Sequence, residues 1–302
     1  MDLSRVRVSL ADLIGLSRAA AHLRVHPTGV RAARSGNYLS SFRGRGMEFD
    51  EARPYAPGDD VRSLDWRVTA RTGKAHTKLF REERERPVFL SVDLRNPMFF
   101  ATRGVYKAVL AARLAALVAW SAVQRGDRVG GQIVAEAASE ELRPEHGRGA
   151  VLRLLQKLTE AAPAPPAAGT GGMDEALSRL SRHARPGSLV FIISDFRGLG
   201  AAGETSLIRL RRHCDVALAF LSDPLEESLP QRGRYRFGDG IDEVLLEATP
   251  VAAQIHALHF AQRRDRVGGL AQAHGMRFLA CRTPDDPLAL LRRSSRPAQA
   301  MG

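Results

Sequence analysis

Two acidic residues in this sequence end apolar segments that have the length of buried β-strands. Asp93 follows residues 88–92 in the run VFLSVDLRNP, and Asp195 follows residues 189–194 in the run LVFIISD. If both segments are parallel strands of one sheet, their carboxyl ends meet at one edge and the two carboxylates lie close together. Carboxylates at such an edge can hold a divalent cation, pair with an arginine or contact a protein partner.

The order of apolar and amphipathic segments after Pro87 predicts the elements that position these residues. Apolar runs typical of strands alternate with segments of helical period. The predicted strands are 88–92, 128–134, 189–194, 216–221 and 276–280, and the predicted helices are 103–124, 147–161, 172–184, 204–212 and 250–274. Residues 130–137 and 140–143 add an antiparallel hairpin at one edge. This alternation predicts an α/β fold, with a doubly wound, mainly parallel sheet that has helices on both faces.

The sequence divides into four segments. Residues 1–28 carry apolar side chains at helical spacing between residues 9 and 25, which predicts an N-terminal helix. Residues 29–86 contain short alternating pieces, such as residues 64–68, broken by glycine and proline, which indicates a small β-rich extension. Residues 87–296 form the α/β domain, and residues 297–302 are a tail.

The composition favours a globular protein of the cytoplasm. The 302 residues include 45 basic and 33 acidic side chains, which gives a formal net charge of +12. Cys214 and Cys281 lie in apolar stretches, which predicts core thiols in a reducing compartment and no disulfide framework. The N-terminus lacks the apolar segment of a signal peptide. Because the apolar segment 108–123 is short and carries Arg113, we expect a buried core helix and no membrane span.

A second group of residues that could do chemistry lies in the extension. The run RPYAPGDDVRSLDWRVTAR, residues 53–71, precedes the strand that ends at Asp93. This run resembles the hallmark of one bacterial family, the domain-of-unknown-function family DUF58. The strand-end aspartates and a Thr/Gly loop before a helix resemble the von Willebrand factor A domain. The motif residues are Arg53, Tyr55, Pro57, Gly58, Asp59, Asp60, Arg62, Asp65, Trp66, Arg71 and Glu82.

The resemblance implies a cytoplasmic, von Willebrand factor A-like module over residues 87–296. Such modules are often encoded beside a MoxR-type AAA+ ATPase and are thought to act with it. The implied partners are therefore that ATPase and an unknown client protein. The resemblance implies no enzyme activity. Longer relatives carry two membrane helices in front of the module, and this chain resembles the form without them.

The resemblance also implies a site for a divalent cation, held by an Asp-x-Ser-x-Ser loop, a threonine and a further aspartate. The corresponding residues are Asp93, Arg95, Pro97, Thr170 and Asp195, so neither serine hydroxyl is present. Because a guanidinium repels a divalent cation and pairs with carboxylates, we expect Arg95 to replace the metal and to bridge Asp93 and Asp195. We therefore predict a degenerate metal site that serves as a partner-docking rim, with no cofactor and with Mg²⁺ disfavoured.

Each of these features also has a simpler structural interpretation. The two aspartates can cap helix N-termini, the PGDD segment can be turn chemistry, and Thr170 can be the N-cap of a helix that starts near Gly172. The charges around the motif favour a salt-bridge network that fastens the extension to the main domain, with Trp66 as a packing anchor. We expect His256 and His259 on a polar helix face rather than in a metal site.

Three function hypotheses follow from these features. The first is a non-catalytic interaction module that docks on an AAA+ ATPase and couples it to client proteins. The second is a nucleic-acid binder that uses the net positive charge and the arginine-rich stretch 31–45, although no nucleic-acid motif is present. The third is an enzyme that uses the strand-end carboxylates. It ranks last, because there is no Walker motif or GxSxG elbow, and residues 126–131 predict a helix-to-strand turn.

Overall fold

A computed structural model describes residues 3–23, 47–57, 59–82, 87–136, 139–161, 172–238 and 243–294. The chain divides into two units, one made of residues 1–27 and 86–302 and the other of residues 28–85. The N-terminal residues therefore belong to the same unit as the α/β domain. The arginine-rich stretch 31–45 and the tail 297–302 lie outside the described residues.

The N-terminal residues form two short helices, α1 (Leu10–Gly15) and α2 (Ser17–Ala20). Ser9 caps α1, because its hydroxyl accepts a hydrogen bond from the Asp12 amide while the Asp12 carboxylate accepts one from the Ser9 amide. The sequence predicts one continuous helix to about residue 25, whereas the described part consists of these two helices. Glycine has low helix propensity, and Gly15 stands at their junction.

The second unit contains an antiparallel pair of strands and one helix among its described residues. Strand β1 (Met47–Pro54) pairs with β2 (His76–Glu82), and helix α3 (Trp66–Thr72) lies between them in the sequence. Leu64 adds an isolated antiparallel bridge to Thr77 of β2. The described part of the extension is therefore β-rich, as predicted.

Residues 64–68, whose alternation suggests a strand, contain the start of helix α3. Asp65 is the N-cap of this helix, and its carboxylate accepts hydrogen bonds from the amides of Arg67 and Val68. Gly73 ends the helix with a φ of 69°, a left-handed conformation that favours glycine. The strand interpretation is wrong, because the capping aspartate outweighs a brief alternation of apolar residues.

The first unit continues after residue 86 with alternating strands and helices. Its elements in chain order are β3 (Val88–Asp93), α4 (Lys107–Val123), β4 (Val129–Val134), β5 (Ser139–Glu145), α5 (Arg148–Glu160), α6 (Met173–His183), β6 (Leu189–Ser194), α7 (Ala201–Arg211), β7 (Asp215–Ser222), α8 (Pro224–Glu227), β8 (Gly233–Gly238), β9 (Glu243–Ala248), α9 (Pro250–Ala273), β10 (Arg277–Arg282) and α10 (Pro287–Ser294).

One six-stranded sheet organises this unit, in the order β10-β7-β6-β3-β4-β5. Every neighbouring pair in it is parallel except β4 and β5, which are antiparallel. The predicted α/β fold with a mainly parallel sheet is therefore confirmed, together with its antiparallel edge. Helices α8 and α10 and the separate antiparallel pair of β8 and β9 were not predicted from the sequence.

The two faces of the central strand β3 contribute to two separate cores. Val88, Leu90 and Val92 belong to the core covered by α1, α2, α4, α5 and α10, whereas Phe89 belongs to the core covered by α6, α7 and α9. Successive side chains of a strand point to opposite faces of the sheet. When helices cover both faces, as in a parallel sheet, the side chains on both faces are buried. The sheet is therefore doubly wound.

Helix α4 is the buried core helix that the sequence predicts over residues 108–123. Its residues 107–122 are all buried except Arg113. The Trp120 indole donates a hydrogen bond to the main-chain carbonyl of Leu13 (3.0 Å), which ties the N-terminal helices to α4. Across the described ranges, no helix combines the length and the apolar character that a membrane crossing requires.

Neither cysteine is in a disulfide, and both are buried, as predicted for core residues. Cys214 precedes β7, and Cys281 lies in β10. Burial raises the pKa of the Cys281 thiol to about 12. Since the thiolate is the reactive form, this side chain is a poor nucleophile at neutral pH.

We predict that Leu13→Ala lowers the free energy of unfolding by about 2–5 kcal/mol, the usual cost of truncating a buried leucine. Leu13 is fully buried in the core that contains α4. Leu3→Ala is the matched control, because Leu3 is 72% exposed and its truncation removes little packing. Urea denaturation measures both variants. Equal, small changes would show that the N-terminal helices do not stabilise the α/β unit.

Candidate functional site

Three aspartates lie at the carboxyl-terminal edge of the sheet, where ligands of α/β folds usually bind. Asp93 ends β3, and Asp195 and Asp223 directly follow β6 and β7. We call these three side chains the carboxylate rim. The structure brings Asp93 and Asp195 together where the sequence predicts them. Asp223 was missed, although Ser222-Asp223 repeats the strand-end pattern of Ser194-Asp195.

The Asp93 carboxylate is enclosed by donors from its own chain. Its Oδ1 accepts hydrogen bonds from the main-chain amide (3.1 Å) and Nε (2.9 Å) of Arg95, and its Oδ2 accepts from Arg95 Nη2 (2.7 Å) and Ser194 Oγ (2.6 Å). Arg95 Nη2 also donates to the carbonyl of Arg197 (3.0 Å). Burial alone would lower the pKa of the Arg95 guanidinium, but the Asp93 carboxylate and more distant acidic groups together raise it. Arg95 is therefore a fixed cation on both oxygens of Asp93.

A buried lysine holds the second carboxylate of the rim. Lys107, the first residue of α4, is 0% exposed, and its Nζ lies 2.9 Å from Asp195 Oδ2 and 2.7 Å from Glu226 Oε1. Arg197 Nε lies 3.2 Å from Asp195 Oδ2, and its Nη2 lies 3.0 Å from Glu226 Oε1. We call Lys107, Asp195, Arg197 and Glu226 the Lys107 cluster.

The Lys107 cluster keeps Asp195 ionised. Burial alone would raise the pKa of the Asp195 carboxyl. The charge and hydrogen bond of Lys107, with the hydrogen bond and charge of Arg197, outweigh burial and hold that pKa below its ordinary value.

The prediction that Arg95 bridges both aspartates is wrong for Asp195. The Arg95 side chain donates to Asp93 and to the Arg197 carbonyl, while Lys107 and Arg197 bind Asp195. The reason is geometric, since α4 begins at this edge of the sheet and brings the Lys107 ammonium to Asp195. Sequence reasoning missed Lys107 because a lysine that opens an apolar helix is typical of a solvated helix end.

Asp223 connects three segments at the same edge. Its carboxylate accepts hydrogen bonds from the amide (2.8 Å) and hydroxyl (2.5 Å) of Thr102, the hydroxyl of Thr283 (2.8 Å) and the amide of Leu225 (2.9 Å). Burial alone would raise the pKa of Asp223, but these hydrogen bonds, those from Thr102 first, hold it below its ordinary value. Because Thr102 precedes α4 and Thr283 follows β10, Asp223 is a structural crosslink.

Of the other two predicted rim residues, Pro97 and Thr170, the structure describes Pro97 alone. Pro97 lies in a short 3-10 turn, Asn96–Met98, with its side chain exposed. Thr170 lies outside the described residues. Helix α6 begins at Met173, and the residue in its N-cap position is Gly172.

Turn chemistry explains the PGDD segment of the second unit. Asp59 accepts hydrogen bonds from the Ala56 amide (2.9 Å) and from Arg53 Nη2 (2.6 Å). The bond from Ala56, and after it the Arg53 guanidinium, hold the pKa of Asp59 below its ordinary value. Asp60 caps the following 3-10 turn by accepting a hydrogen bond from the Arg62 amide (3.0 Å).

Among the described residues of this unit, Arg53 and Asp59 form an ion pair. The salt-bridge network that fastens the extension to the main domain stays a prediction. Asp59, Asp60 and Asp65 accept hydrogen bonds from nearby main-chain amides. Trp66 opens α3 with its side chain 69% exposed, and its role as a packing anchor between the two parts of the chain stays a prediction. The buried side chain at this helix end is the capping Asp65. Of the other motif residues, Tyr55, Pro57, Arg62 and Arg71 are exposed, Glu82 ends β2, and Gly58 lies outside the described residues.

The rim does not offer the ligand set of a divalent cation. Both oxygens of Asp93 accept hydrogen bonds from Arg95, and Asp195 is paired with Lys107. The third loop position is Pro97, whose side chain has no oxygen that could bind a metal. Mg²⁺ needs oxygen ligands in octahedral geometry, without competing cations. Within the described ranges, no group of three or more His, Cys, Asp or Glu side chains could hold a metal ion. A divalent cation would have to displace a guanidinium and an ammonium group.

Comparison with known proteins identifies relatives along most of the chain. The family described as "Protein of unknown function DUF58" matches residues 51–267. Uncharacterized proteins of Mycobacterium tuberculosis and Mycobacterium bovis are each 32% identical over 258 residues, which cover 84% of this chain and 80% of theirs. The family match includes both the motif of the second unit and the carboxylate rim.

The chain is also similar to solved structures at low sequence identity. The conserved hypothetical protein BatB from Bacteroides thetaiotaomicron is 13% identical, with a TM-score of 0.40, and the match covers 69% of this chain and 95% of that one. A von Willebrand factor type A protein from Catenulispora acidiphila is 13% identical, with a TM-score of 0.37, and the match covers 73% of this chain and 42% of that one.

We predict that Lys107→Met lowers the free energy of unfolding by about 3–5 kcal/mol, because it leaves Asp195 and Glu226 buried without their ammonium partner. Methionine retains the apolar stem of the lysine. Lys157→Met is the control, because Lys157 pairs with exposed glutamates at the surface, and we expect little change. Urea denaturation followed by circular dichroism measures both variants. A wild-type unfolding midpoint for Lys107→Met would contradict the buried ion pair.

The lowered pKa of Asp223 predicts how stability changes with pH. Since its folded pKa lies below the ordinary value of 3.8, the carboxylate stabilises the fold fully above that value. This contribution is lost as the pH falls through the folded pKa. We expect Asp223→Asn to be less stable than the wild type at neutral pH and to lose less stability on acidification. Urea denaturation at several pH values measures the slope of the free energy of unfolding against pH. Asp265→Asn, at an exposed site on α9, is the control and should keep the wild-type slope. Identical slopes for Asp223→Asn and the wild type would contradict this role.

Proposed function

The chain belongs to the family "Protein of unknown function DUF58", and we propose that it is a non-catalytic, von Willebrand factor A-like interaction module that docks on a MoxR-type AAA+ ATPase. In this role it links the ATPase to client proteins in the cytoplasm. The resemblance of residues 53–71 and of the strand-end aspartates supports this class of partner. The two buried cysteines, neither of which is in a disulfide, support a reducing compartment.

The pairing of Arg95 with both oxygens of Asp93 carries the proposal. In the parent fold a partner's carboxylate completes the coordination of a metal at this edge. Here a guanidinium lies against the corresponding aspartate and is fixed by three hydrogen bonds to oxygen atoms, two to Asp93 and one to the Arg197 carbonyl. A preorganised cation can receive a partner's carboxylate with little loss of side-chain entropy. The rim thus supports docking without a metal or another cofactor.

Arg197 is the part of the Lys107 cluster that a partner can reach. Its side chain is 40% exposed, whereas those of Asp195 and Glu226 are almost entirely buried. Its guanidinium is aligned by these two carboxylates, so its charge at the surface has a defined position. We propose that Arg197 forms part of the contact with the ATPase.

The contacts of Ser194 support a non-catalytic role. The Ser194 hydroxyl is 0% exposed, donates to Asp93 Oδ2 (2.6 Å) and accepts a hydrogen bond from the Phe196 amide (2.8 Å). A serine nucleophile needs a base to take its proton and access to a substrate. This hydroxyl instead orders the turn that follows β6.

Affinity capture of the tagged protein from its own host tests the proposal. We expect an AAA+ ATPase to be retained in the presence of ATP. Arg197→Ala should reduce this retention, because it removes the exposed guanidinium of the Lys107 cluster. Arg209→Ala, which removes an exposed arginine from α7, should leave retention unchanged. Mass spectrometry identifies the retained proteins, and circular dichroism checks that both variants fold.

Two results would contradict the proposal. If the wild-type protein retains only nucleic acid, the nucleic-acid hypothesis is favoured instead. If isothermal titration calorimetry of the purified protein shows tight Mg²⁺ binding, the replacement of the metal by Arg95 is wrong.

A further inference from the structure

Helix α9 carries an apolar stripe on its exposed side. Val251, Ile255 and Leu258 are all exposed, and their spacing of four and three residues places them on one face of the helix. Gln262 and Arg266 continue this face along the helix. Single exposed aliphatic side chains are common on protein surfaces, whereas several in register mark an interaction site.

A cleft of about 430 Å³ lies beside the C-terminal end of this stripe. Its walls come from the loop after β6, through Phe196 and Leu199, and from α9, through Gln262, Arg263 and Arg266. The lining combines apolar side chains with two guanidinium groups, and the volume is in the usual range for a ligand site. We call the apolar stripe and this cleft together the α9 surface.

Arg263 is the cation of this cleft that has no carboxylate partner among the described residues. Its guanidinium lies over the rings of Phe260 (5.5 Å) and Phe220 (6.0 Å), and its buried Nε has no hydrogen-bond partner there. Burial first, and then the charge of Arg197, lower the pKa of Arg263. A partly buried cation without an anion is unfavourable, so an oxyanion in the cleft would offset that cost.

The other charged groups around the cleft already have partners. Arg266 pairs with Glu204 (2.5 Å) and donates to the Leu199 carbonyl (3.1 Å). Asp195 and Glu226 are engaged in the Lys107 cluster. The charge that remains to be neutralised in the cleft is therefore positive and centred on Arg263.

We propose that the α9 surface docks an acidic, amphipathic segment of a partner protein. The apolar side chains of this segment pack on Val251, Ile255 and Leu258, and one of its carboxylates pairs with Arg263. Charge complementarity and the adjoining apolar stripe identify this occupant. A helix rises about 1.5 Å per residue, so a helical segment of roughly twelve residues spans the distance from Val251 to Arg263. The proposal rests on the proposed function, because the ligand is a protein, and it defines a second contact surface beside the carboxylate rim.

A synthetic peptide tests the proposal by fluorescence anisotropy with the full-length protein. The probe has roughly sixteen residues, with leucines at helical spacing and glutamates at both ends, so that either orientation can reach Arg263. We expect saturable binding, and a peptide with glutamine in place of every glutamate should bind at least about tenfold more weakly. This comparison uses the wild-type protein and does not depend on the folding of any variant.

Protein variants locate the site. Leu258→Ser and Arg263→Ala should each weaken binding of the probe at least about tenfold. Leu245→Ser is the matched control, because Leu245 on β9 is 63% exposed and Leu258 is 55% exposed. Equal binding by Leu258→Ser and Leu245→Ser, or equal binding of the glutamate and glutamine peptides, would overturn the proposal. Inorganic phosphate that binds as tightly as the probe would also overturn it, since the ligand would then be a small anion.

The outcomes separate this proposal from the proposed function. If the wild-type protein captures the AAA+ ATPase but does not bind the probe, the proposal for the α9 surface fails and the adaptor function stands. If the probe binds with the expected variant pattern but the ATPase is never retained, the adaptor function fails and the docking surface stands.

Discussion

The carboxyl-terminal edge of the sheet depends on one buried ammonium group. Lys107 Nζ lies between the carboxylates of Asp195 and Glu226, with no exposure to solvent. Each buried charge costs several kcal/mol of desolvation unless its partners are well placed, so this arrangement is tolerable only in close geometry. The start of α4, the end of β6 and the short helix α8 therefore have to keep fixed positions relative to one another.

The remaining carboxylates of the rim extend this constraint. Asp93 binds Arg95, which in turn bonds the Arg197 carbonyl, so the end of β3 is tied to the loop after β6. Asp223 ties the residues before α4 to the residues after β10. All three acidic side chains are engaged within the chain, and Arg197, with its side chain 40% exposed, brings a positive charge to the surface beside them. The framework of this edge is therefore built from aspartates whose charges are already paired or hydrogen-bonded.

The fold and part of the site could be predicted from the sequence because their signals are local. Apolar runs of strand length and the uniformly apolar α4 segment mark the α/β layers without reference to distant residues. Asp93, Arg95 and Asp195 stand directly at strand ends, where position alone suggests a role. Lys107 could not be found this way, because its partners Asp195 and Glu226 are 88 and 119 residues away. The helix at Trp66 was missed because a single capping residue decides between it and a strand.

The loop after β6 links the carboxylate rim to the cleft beside α9. Phe196 has a φ of 54°, a left-handed conformation that is uncommon for a residue with a side chain, and its ring stacks on Phe220 at 6.1 Å. The side chains of Ser194 and Asp195 accept hydrogen bonds from the next amides, those of Phe196 and Arg197, which hold this turn in place. The turn sends Arg197 to the Lys107 cluster and Phe196 to the ring over which Arg263 lies. Strained backbone persists only where its surroundings fix it, and such positions cluster at functional sites. The positive charges of Arg197 and Arg263 repel each other. An anion that enters the cleft would therefore reduce a repulsion that results from the path of this turn.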